Sequence, residues 1–349
     1  MARNNNINLD EAGYNTDDKT KLKIDKNNQD IILDVKNLQV DFHVGKNTMT
    51  AIKNVNFQVA KGKTLGIVGE SGCGKSVTAN SIMRLFPKTV GEIADGSIIY
   101  EGRDIVKMTD SEIREIRGNR ISMIFQDPMT ALNPVYKIGE QLMEILFAHQ
   151  NISKKEAFER CVNMLEKVGI PAARQRMKEY PHELSGGMRQ RVMIAMALLT
   201  NPDILIADEP TTALDVTIQA QVLELIEELK KEYNTAVLFI THDMGVIADI
   251  ADYVMVMYAG EIVEYDTTEG LFEKPLHPYT YGLLKSIPKL YEDIDRLYTI
   301  EGVVPALNEM PDGCRFSTRC EYCTEKCKRE KPPLINLSGE KKVACFRYV

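Results

Sequence analysis

The chain has 349 residues, of which 44% are hydrophobic, and its formal net charge at pH 7 is −7. This length allows one large domain with an appendage or two domains, and the acidic balance argues against nucleic acid as a partner. The longest apolar run, residues 192–199, is too short to cross a membrane, so any membrane contact must go through a partner. Because no signal peptide is visible, we expect a soluble cytosolic protein whose seven cysteines are not disulfides.

The first part of the chain predicts a polar tail followed by an antiparallel sheet and a first α/β unit. Residues 1–30 are rich in Asn, Asp and Lys, which predicts a disordered polar tail. From residue 31 onwards, alternating apolar and polar residues predict half-buried strands. The predicted strands lie at residues 32–35, 38–42, 55–59, 65–68, 96–102 and 121–125, and the predicted helices at 77–83 and 111–117.

The second part predicts helices and then a parallel sheet. Helical spacing runs from Ile138 to about Arg176, and a further helix ends at Leu199. Two apolar strands, 204–207 and 236–240, flank a predicted helix at 217–231, and this alternation is typical of parallel sheets. We therefore predict a mixed α/β fold over 31–270 with a helical subdomain at about 127–184, and a polar extension over 271–349.

A phosphate-binding loop is the strongest chemical signal. Its spacing, G-x-x-x-x-G-K-[ST], is formed by Gly69, Glu70, Ser71, Gly72, Cys73, Gly74, Lys75 and Ser76. A predicted strand precedes it and a predicted helix follows it, so backbone N–H groups and the helix dipole would face an anion. We expect Lys75 to reach the β and γ phosphates of a nucleotide and Ser76 to bind magnesium. An ordinary glycine turn is the alternative.

An acidic pair follows the strand at 204–207. Asp208 and Glu209 stand where open α/β folds bind ligands, at the carboxyl ends of parallel strands. We expect Asp208 to hold magnesium together with Ser76, and Glu209 to act as the general base towards water. Two surface acids at a helix N-terminus are the alternative interpretation.

Three further signals stand at strand or helix ends. His242 closes the strand at 236–240 and can contact a γ phosphate or the attacking water, although most single histidines are structural. Gln126 ends the strand at 121–125 and can contact both the metal and that water, although such a glutamine is usually surface. Residues Ser185, Gly186 and Gly187 open a helix and predict a second anion site, with a simple helix cap as the alternative.

In order and spacing, these motifs resemble the motif set of ABC-type ATPases over residues 31–270, with Asp215 in Ala213-Leu214-Asp215 as a further match. The resemblance implies that two cassettes pair head to tail, so that residues 185–187 of one face the γ phosphate held by the other. It also implies an aromatic residue that stacks on adenine, for which Phe42 is the matching position; a core phenylalanine is the alternative. Met188 departs from the usual glutamine.

The extension resembles the C-terminal region of oligopeptide and dipeptide importer ATPases, on residues 276–284, 302–305 and the cysteines. That resemblance implies a peripheral protein at the cytoplasmic face of the cell membrane. It also implies four kinds of molecule around it: ATP with Mg²⁺, a second ABC ATPase subunit in a heterodimer, two membrane permease subunits, and an extracytoplasmic peptide-binding protein. Importers of nickel or other small solutes are related and stay open as an alternative.

Four cysteines match those of this subfamily, and in a reducing compartment they suit a [4Fe–4S] cluster. They are Cys314, Cys320, Cys327 and Cys345, while Cys323 is additional. Zinc is the chemical alternative, although the spacing lacks the close pairs of zinc ribbons. Four reduced cysteines that only pack a small subdomain are the third possibility.

The leading functional hypothesis is an ATP-hydrolysing subunit that powers peptide import. A non-transport ABC ATPase that acts on nucleic acid or ribosomes is a second class. Such proteins have tandem cassettes or a cassette split by a long coiled coil. This chain has one cassette, and its insert between Gln126 and Ser185 is short. A redox-sensing or metal-sensing module is a third class.

Overall fold

The computed structural model describes residues 30–45, 47–87, 89–127, 131–211, 215–287 and 298–349. The predicted disordered tail lies outside the described residues except for Asp30, and so do Ala213 and Leu214 of the motif that ends in Asp215. The described residues between Ile31 and Val349 form one compact unit.

An antiparallel sheet forms from the first part of the chain, as predicted. Its strands are β1 (Ile31–Val44), β2 (Asn47–Ala60), β4 (Gly91–Tyr100) and β5 (Arg103–Asp104), in the order β2-β1-β4-β5. Val35 of β1 pairs with Phe57 of β2 on one side and with Ile98 of β4 on the other. All three side chains are buried, so one face of this sheet contributes to the core.

The main sheet is mixed. Its strands are β3 (Thr64–Val68), β6 (Ile121–Ile124), β7 (Ile204–Asp208), β8 (Ala236–Thr241), β9 (Tyr253–Tyr258), β10 (Glu261–Thr267), β11 (Ile335–Ser338) and β12 (Lys341–Val343). Within the described residues the order is β11-β12-β10-β9-β3-β8-β7-β6. The segment from β9 to β6 is parallel, whereas β10, β12 and β11 add to its edge as antiparallel strands.

Helices connect these strands. In chain order they are α1 (Lys75–Ile82), α2 (Asp110–Ile116), α3 (Ile138–His149), α4 (Lys154–Lys167), α5 (Ala173–Arg176), α6 (Gly186–Leu198), α7 (Val216–Tyr233), α8 (Met244–Ile250), α9 (Thr268–Glu273), α10 (Pro278–Lys285) and α11 (Glu325–Arg329). Among the residues that the structure describes, no helix combines the length and the hydropathy that crossing a bilayer requires.

The main sheet is covered on both faces, which explains its continuous apolar strands. In β7, Ile204 and Ile206 pack with the antiparallel sheet and α1, whereas Leu205 and Ala207 pack with α3, α4, α6 and α7. Every residue of β3, β7 and β8 is buried. The predicted fold class is therefore confirmed.

Several elements have no counterpart in the sequence-based prediction. Strand β9 lies directly beside β3, and β10 continues the sheet, although neither was predicted. The extension contributes β11 and β12 to this same sheet, where Glu264 of β10 pairs with Val343 of β12. The predicted extension is therefore joined to the sheet that carries the phosphate loop.

Candidate active site

The phosphate loop joins the carboxyl end of β3 to the first turn of α1, as predicted. Gly74 caps α1 with φ +103°, and a Cβ there would lie 2.6 Å from Cγ2 of Ile52, so this position requires glycine. Lys75 is 5% exposed, and its ammonium donates to the carbonyl oxygens of Gly69 (2.7 Å) and Glu70 (3.1 Å). The loop is thus wrapped around the lysine that was predicted to reach the phosphates.

Ser76 and Asp208 meet beside this loop. The Ser76 hydroxyl donates to Oδ1 of Asp208 at 3.1 Å, and the Asp208 side chain is buried at the end of β7. Burial raises the pKa of the Asp208 carboxyl, while the hydrogen bond from Ser76 lowers it. A hydroxyl and a carboxylate oxygen at this distance are hard oxygen ligands, and such a pair fits Mg²⁺.

Glu209 connects the ends of three neighbouring strands. Its backbone has φ +47°, a conformation that is costly for a residue with a side chain, and its N–H donates to the carbonyl of Ile240 at 2.9 Å. Its Oε2 accepts a hydrogen bond from Nε2 of Gln126 at 3.0 Å, and its Oε1 lies 3.3 Å from Nδ1 of His242. The structure therefore brings together the three residues predicted to be catalytic.

A second group surrounds the start of α6. Ser185 caps this helix by accepting the N–H of Met188 at 3.3 Å, and Ser185 and Gly186 are exposed. Asp215 caps α7 by accepting the N–H of Ile218 at 3.0 Å. A Cβ at Gly187 would lie 3.3 Å from Cγ2 of Ile218, so the two helix starts are packed closely. Both the predicted anion site and the simple cap are compatible with this geometry.

Phe42 lies on β1, where its ring packs edge to face against Phe86 at a centroid distance of 5.4 Å. Two residues earlier on the same strand, Val40 pairs with Ile52, the residue that closes over Gly74. The adenine-stacking role of Phe42 stays a prediction.

The extension contacts the phosphate loop through residues to which the sequence analysis assigns no role at the site. The Glu70 N–H donates to the hydroxyl of Tyr279 at 2.8 Å, and the Glu70 carboxylate pairs with Nη1 of Arg319 at 2.9 Å. These partners are 209 and 249 residues away along the chain, so no local pattern could indicate them. Cys73, inside the loop, is fully buried, and burial raises the pKa of its thiol.

The four predicted cluster cysteines line one cavity of about 280 Å³ in the extension, beside Phe316 and Pro278. Burial raises the pKa of Cys314 to about 12 and that of Cys320 to about 11, and it also raises the pKa of Cys345. Across the described ranges, no group of three or more His, Cys, Asp or Glu has an arrangement that could hold a metal ion. The four cysteines therefore share a cavity without an arrangement that holds a metal, and the [4Fe–4S] cluster and its zinc alternative stay predictions.

Comparison with known proteins identifies the family. Residues 52–212 match the family described as ABC transporter, and residues 263–327 match the oligopeptide/dipeptide transporter C-terminal region. The oligopeptide transport ATP-binding protein AppD of Bacillus subtilis is 53% identical, over 91% of this chain and 97% of that protein. The corresponding OppD proteins of Haemophilus influenzae and Escherichia coli are 55% and 52% identical, over 91% and 94% of their lengths.

This chain belongs to the oligopeptide transport ATP-binding proteins. As an ABC ATPase of this family it is an ATP-hydrolysing transporter subunit, and the predicted family is confirmed. Among solved structures, this family member resembles a dimeric ATP-binding cassette bound to ADP and Pi, with a TM-score of 0.61 and 28% identity over 68% of this chain and 99% of that one. It also resembles cbiO1 of Clostridium perfringens, with a TM-score of 0.59 and 25% identity over 70% of this chain and 92% of that one.

Proposed function

We propose that this chain hydrolyses ATP to power the import of peptides through a membrane ABC transporter. The observation that carries the proposal is the cluster in which Gln126 and His242 both contact Glu209, at the sheet edge where Ser76 meets Asp208. This edge places a carboxylate base next to a phosphate loop, which is the arrangement that phosphoryl transfer to water requires.

The proposed chemistry follows from these contacts. Lys75 exchanges the carbonyl oxygens of Gly69 and Glu70 for oxygens of the β and γ phosphates. Ser76 and Asp208 would hold Mg²⁺, which when bound neutralises charge on those phosphates. Glu209 orients the attacking water and takes its proton, while the bond between the γ phosphorus and the bridging oxygen breaks and ADP leaves.

Gln126 and His242 position the base. Because Gln126 donates to Oε2 and His242 lies against Oε1, the Glu209 carboxylate is held between two neighbours. The side chain is 14% exposed and His242 is 63% exposed, so His242 is accessible to a γ phosphate while Glu209 stays sheltered. In this proposal a displacement at the end of β6 is transmitted through Gln126 to the carboxylate of Glu209.

We further propose that the site is completed by a second ABC ATPase subunit in a heterodimer. Ser185 and Gly186 are exposed at the start of α6, a helix of 13 residues whose first N–H groups can bind an anion. The proposed partner places its own phosphate loop opposite this helix start, while its residues equivalent to 185–187 face the loop at 69–76. Asp215, exposed at the start of α7, would line the same interface.

A groove next to Gln126 supports the proposed contact with two membrane permease subunits. A cavity of about 1150 Å³ between β6 and α3 is lined by residues that include Phe125, Tyr136 and Phe147, which are 42%, 54% and 46% exposed. Exposed aromatic residues of this kind are typical of protein-binding surfaces. In this proposal the chain lies peripherally at the cytoplasmic face of the membrane, and an extracytoplasmic peptide-binding protein is the source of substrate.

Reconstitution tests this function. The chain, the copurifying second ATPase and the permeases are placed in proteoliposomes, and ATP-dependent uptake of labelled peptides is measured beside uptake of nickel ions. We expect peptide uptake that stops in Glu209→Gln. Uptake of nickel without peptides would contradict peptide import and favour the related nickel importers.

We also propose that the chain divides into a tail (1–30), an ATPase domain (31–270) and an extension (271–349).

The [4Fe–4S] cluster is a separate proposal. Its support is that Cys314, Cys320, Cys327 and Cys345 line one cavity. Iron and acid-labile sulfide are measured in protein purified without air, with Cys323→Ser as the control variant that should keep both. Zinc, or no metal, in the purified protein would overturn the cluster.

A further inference from the structure

The side of the phosphate loop that faces the extension is held at a single residue. The N–H of Glu70 is bound by the Tyr279 hydroxyl, its carboxylate by Arg319, and its carbonyl oxygen by the Lys75 ammonium, at 2.8, 2.9 and 3.1 Å. The N–H donates to Tyr279, so its hydrogen bond is made to the extension. The contacts of the N–H and of the carboxylate therefore come from outside the sequence that forms the loop.

Arg319 is itself anchored on every side. Its Nε donates to the carbonyl of Glu301 at 2.9 Å and its Nη2 to that of Ile300 at 3.1 Å. The guanidinium lies 5.8 Å from the centroid of the Tyr258 ring, and the side chain is only 4% exposed. An arginine fixed in this way presents Nη1 to Glu70 in one geometry.

Tyr279 is equally fixed. Its ring is fully buried and packs against Tyr258 and Phe316, at centroid distances of 4.7 and 5.4 Å. The start of α10, which carries it, is held by the buried carboxylate of Glu264, which accepts the N–H groups of Leu276 and His277 at 2.7 and 2.8 Å. The hydroxyl that binds the loop therefore has little freedom to move.

The electrostatic consequence concerns ATP. Glu70 places a carboxylate inside a loop that is to bind a triphosphate, and like charges repel, most strongly where water is scarce. Arg319 cancels that charge, while Tyr279 fixes the peptide bond between Gly69 and Glu70. We propose that Arg319 and Tyr279 are positioning residues for ATP binding, acting through Glu70. This inference rests on the proposed role of the phosphate loop.

A double-mutant cycle tests it in the assembled transporter. Because Arg319→Met leaves the Glu70 carboxylate uncompensated, it should raise KM for ATP about tenfold with kcat little changed, and less so at high salt. Adding Glu70→Gln removes that carboxylate, and should return KM to within about twofold of the original value. Since the packing of Arg319 stays lost in the double variant, this rescue separates charge from folding.

Matched variants control for stability. Lys341→Met removes another sheltered cation of the extension, which pairs with Asp266 at 2.7 Å and donates to the carbonyls of Gly270 and Lys274. It should lower the melting temperature without changing KM. Tyr279→Phe keeps the ring and should raise KM about threefold, since one hydrogen bond is lost. Its control is Tyr100→Phe, whose hydroxyl donates to the Asp203 carboxylate, and which should leave KM unchanged.

The outcomes separate this inference from the proposed function. An unchanged KM in Arg319→Met, or a double variant as poor as the single one, overturns the positioning role. Lys75→Ala is measured in the same assay and should lose ATP binding. If Lys75→Ala binds ATP normally, the loop does not bind the phosphates, and both the function proposed for it and this inference fail.

Discussion

The two sides of the phosphate loop are built in opposite ways. On the nucleotide side, Glu209 makes single contacts to Gln126 and His242, and both of these partners are exposed. On the extension side, the contacts to Glu70 come from Tyr279 and Arg319, whose side chains are buried and fixed by further contacts. This site therefore keeps exchangeable contacts where substrate must enter and rigid ones where the loop must hold its shape.

The largest effect is expected on the exchangeable side, in Glu209→Gln. The amide keeps the size of the side chain but cannot take a proton from water, so ATP turnover should fall about a thousandfold while ATP binding is retained. Phosphate release by the assembled transporter and equilibrium ATP binding measure the two quantities.

The control for this variant is Glu224→Gln, an exposed carboxylate on α7, which should change neither quantity. Normal hydrolysis in Glu209→Gln would show that the base lies elsewhere. The exchangeable contacts of Glu209 on the nucleotide side would then have no role in catalysis.

A smaller effect is expected at the helix start that is proposed to face the partner subunit. Ser185 caps α6 and Ser153 caps α4, each by accepting an N–H three residues later, at 3.3 and 3.2 Å. Replacing either serine by alanine should cost about 1 kcal/mol of stability. Only Ser185→Ala should also reduce turnover, by at least about tenfold, because it removes a donor to the phosphate.

Melting temperatures and turnover of the two alanine variants give the comparison directly. Equal turnover in both would mean that Ser185 is only a helix cap. The proposed composite site would then need a different contact from the partner subunit.

The smallest effect concerns the rigid side, where His277 is buried at the start of α10. Its Nδ1 accepts the N–H of Tyr279 at 3.1 Å, and burial lowers the pKa of His277 to about 3. In the unfolded chain the imidazole takes up a proton below its ordinary pKa of about 6.5, whereas in the folded chain it stays neutral. Stability due to this group is therefore full at neutral pH and is lost as the pH falls from about 6.5 towards 3.

At pH 5.5 the loss is about 1.4 kcal/mol, or about 2 °C in the melting temperature. His277→Asn, which can still accept the Tyr279 N–H, should lose less on going from pH 7.5 to 5.5, and scanning calorimetry at both values measures the difference. An identical loss in both proteins would mean that other groups carry the acid sensitivity. Glu264 acts in the opposite direction, since burial raises the pKa of its carboxyl.

The parts of the fold that follow from local pattern were predicted. Strands β3, β7 and β8 are continuous apolar runs, and α7 has an amphipathic period, so short stretches of sequence contain their whole signal. The run of β9, Tyr-Val-Met-Val-Met-Tyr before Ala259-Gly260, carries the same signal, although the sequence analysis does not predict this strand. Strands β11 and β12 have little sequence signal, because they are short and partly exposed. They form strands because β12 pairs with β10 and β11 pairs with β12.

The same limit applies to the site. Lys75, Asp208 and Glu209 lie in motifs whose spacing reflects chemistry, so their positions could be inferred. Arg319 and Tyr279 act through tertiary contacts, and no residue near them in sequence indicates a contact with Glu70. The signal that the sequence offers is Glu70 itself, because a carboxylate within a phosphate loop requires a nearby cation to neutralise it.

The pairing of β10 with β12 also affects how the protein avoids associating with itself. Strand β10 is largely buried and longer than β12, and Lys342 and Val343 occupy part of its outer edge. Beyond β12 the sheet ends in β11, whose Asn336 and Ser338 are exposed. A short polar strand is a poor template for another chain, whereas an uncovered β10 would be a good one. Truncation before Ile335 should therefore yield aggregates.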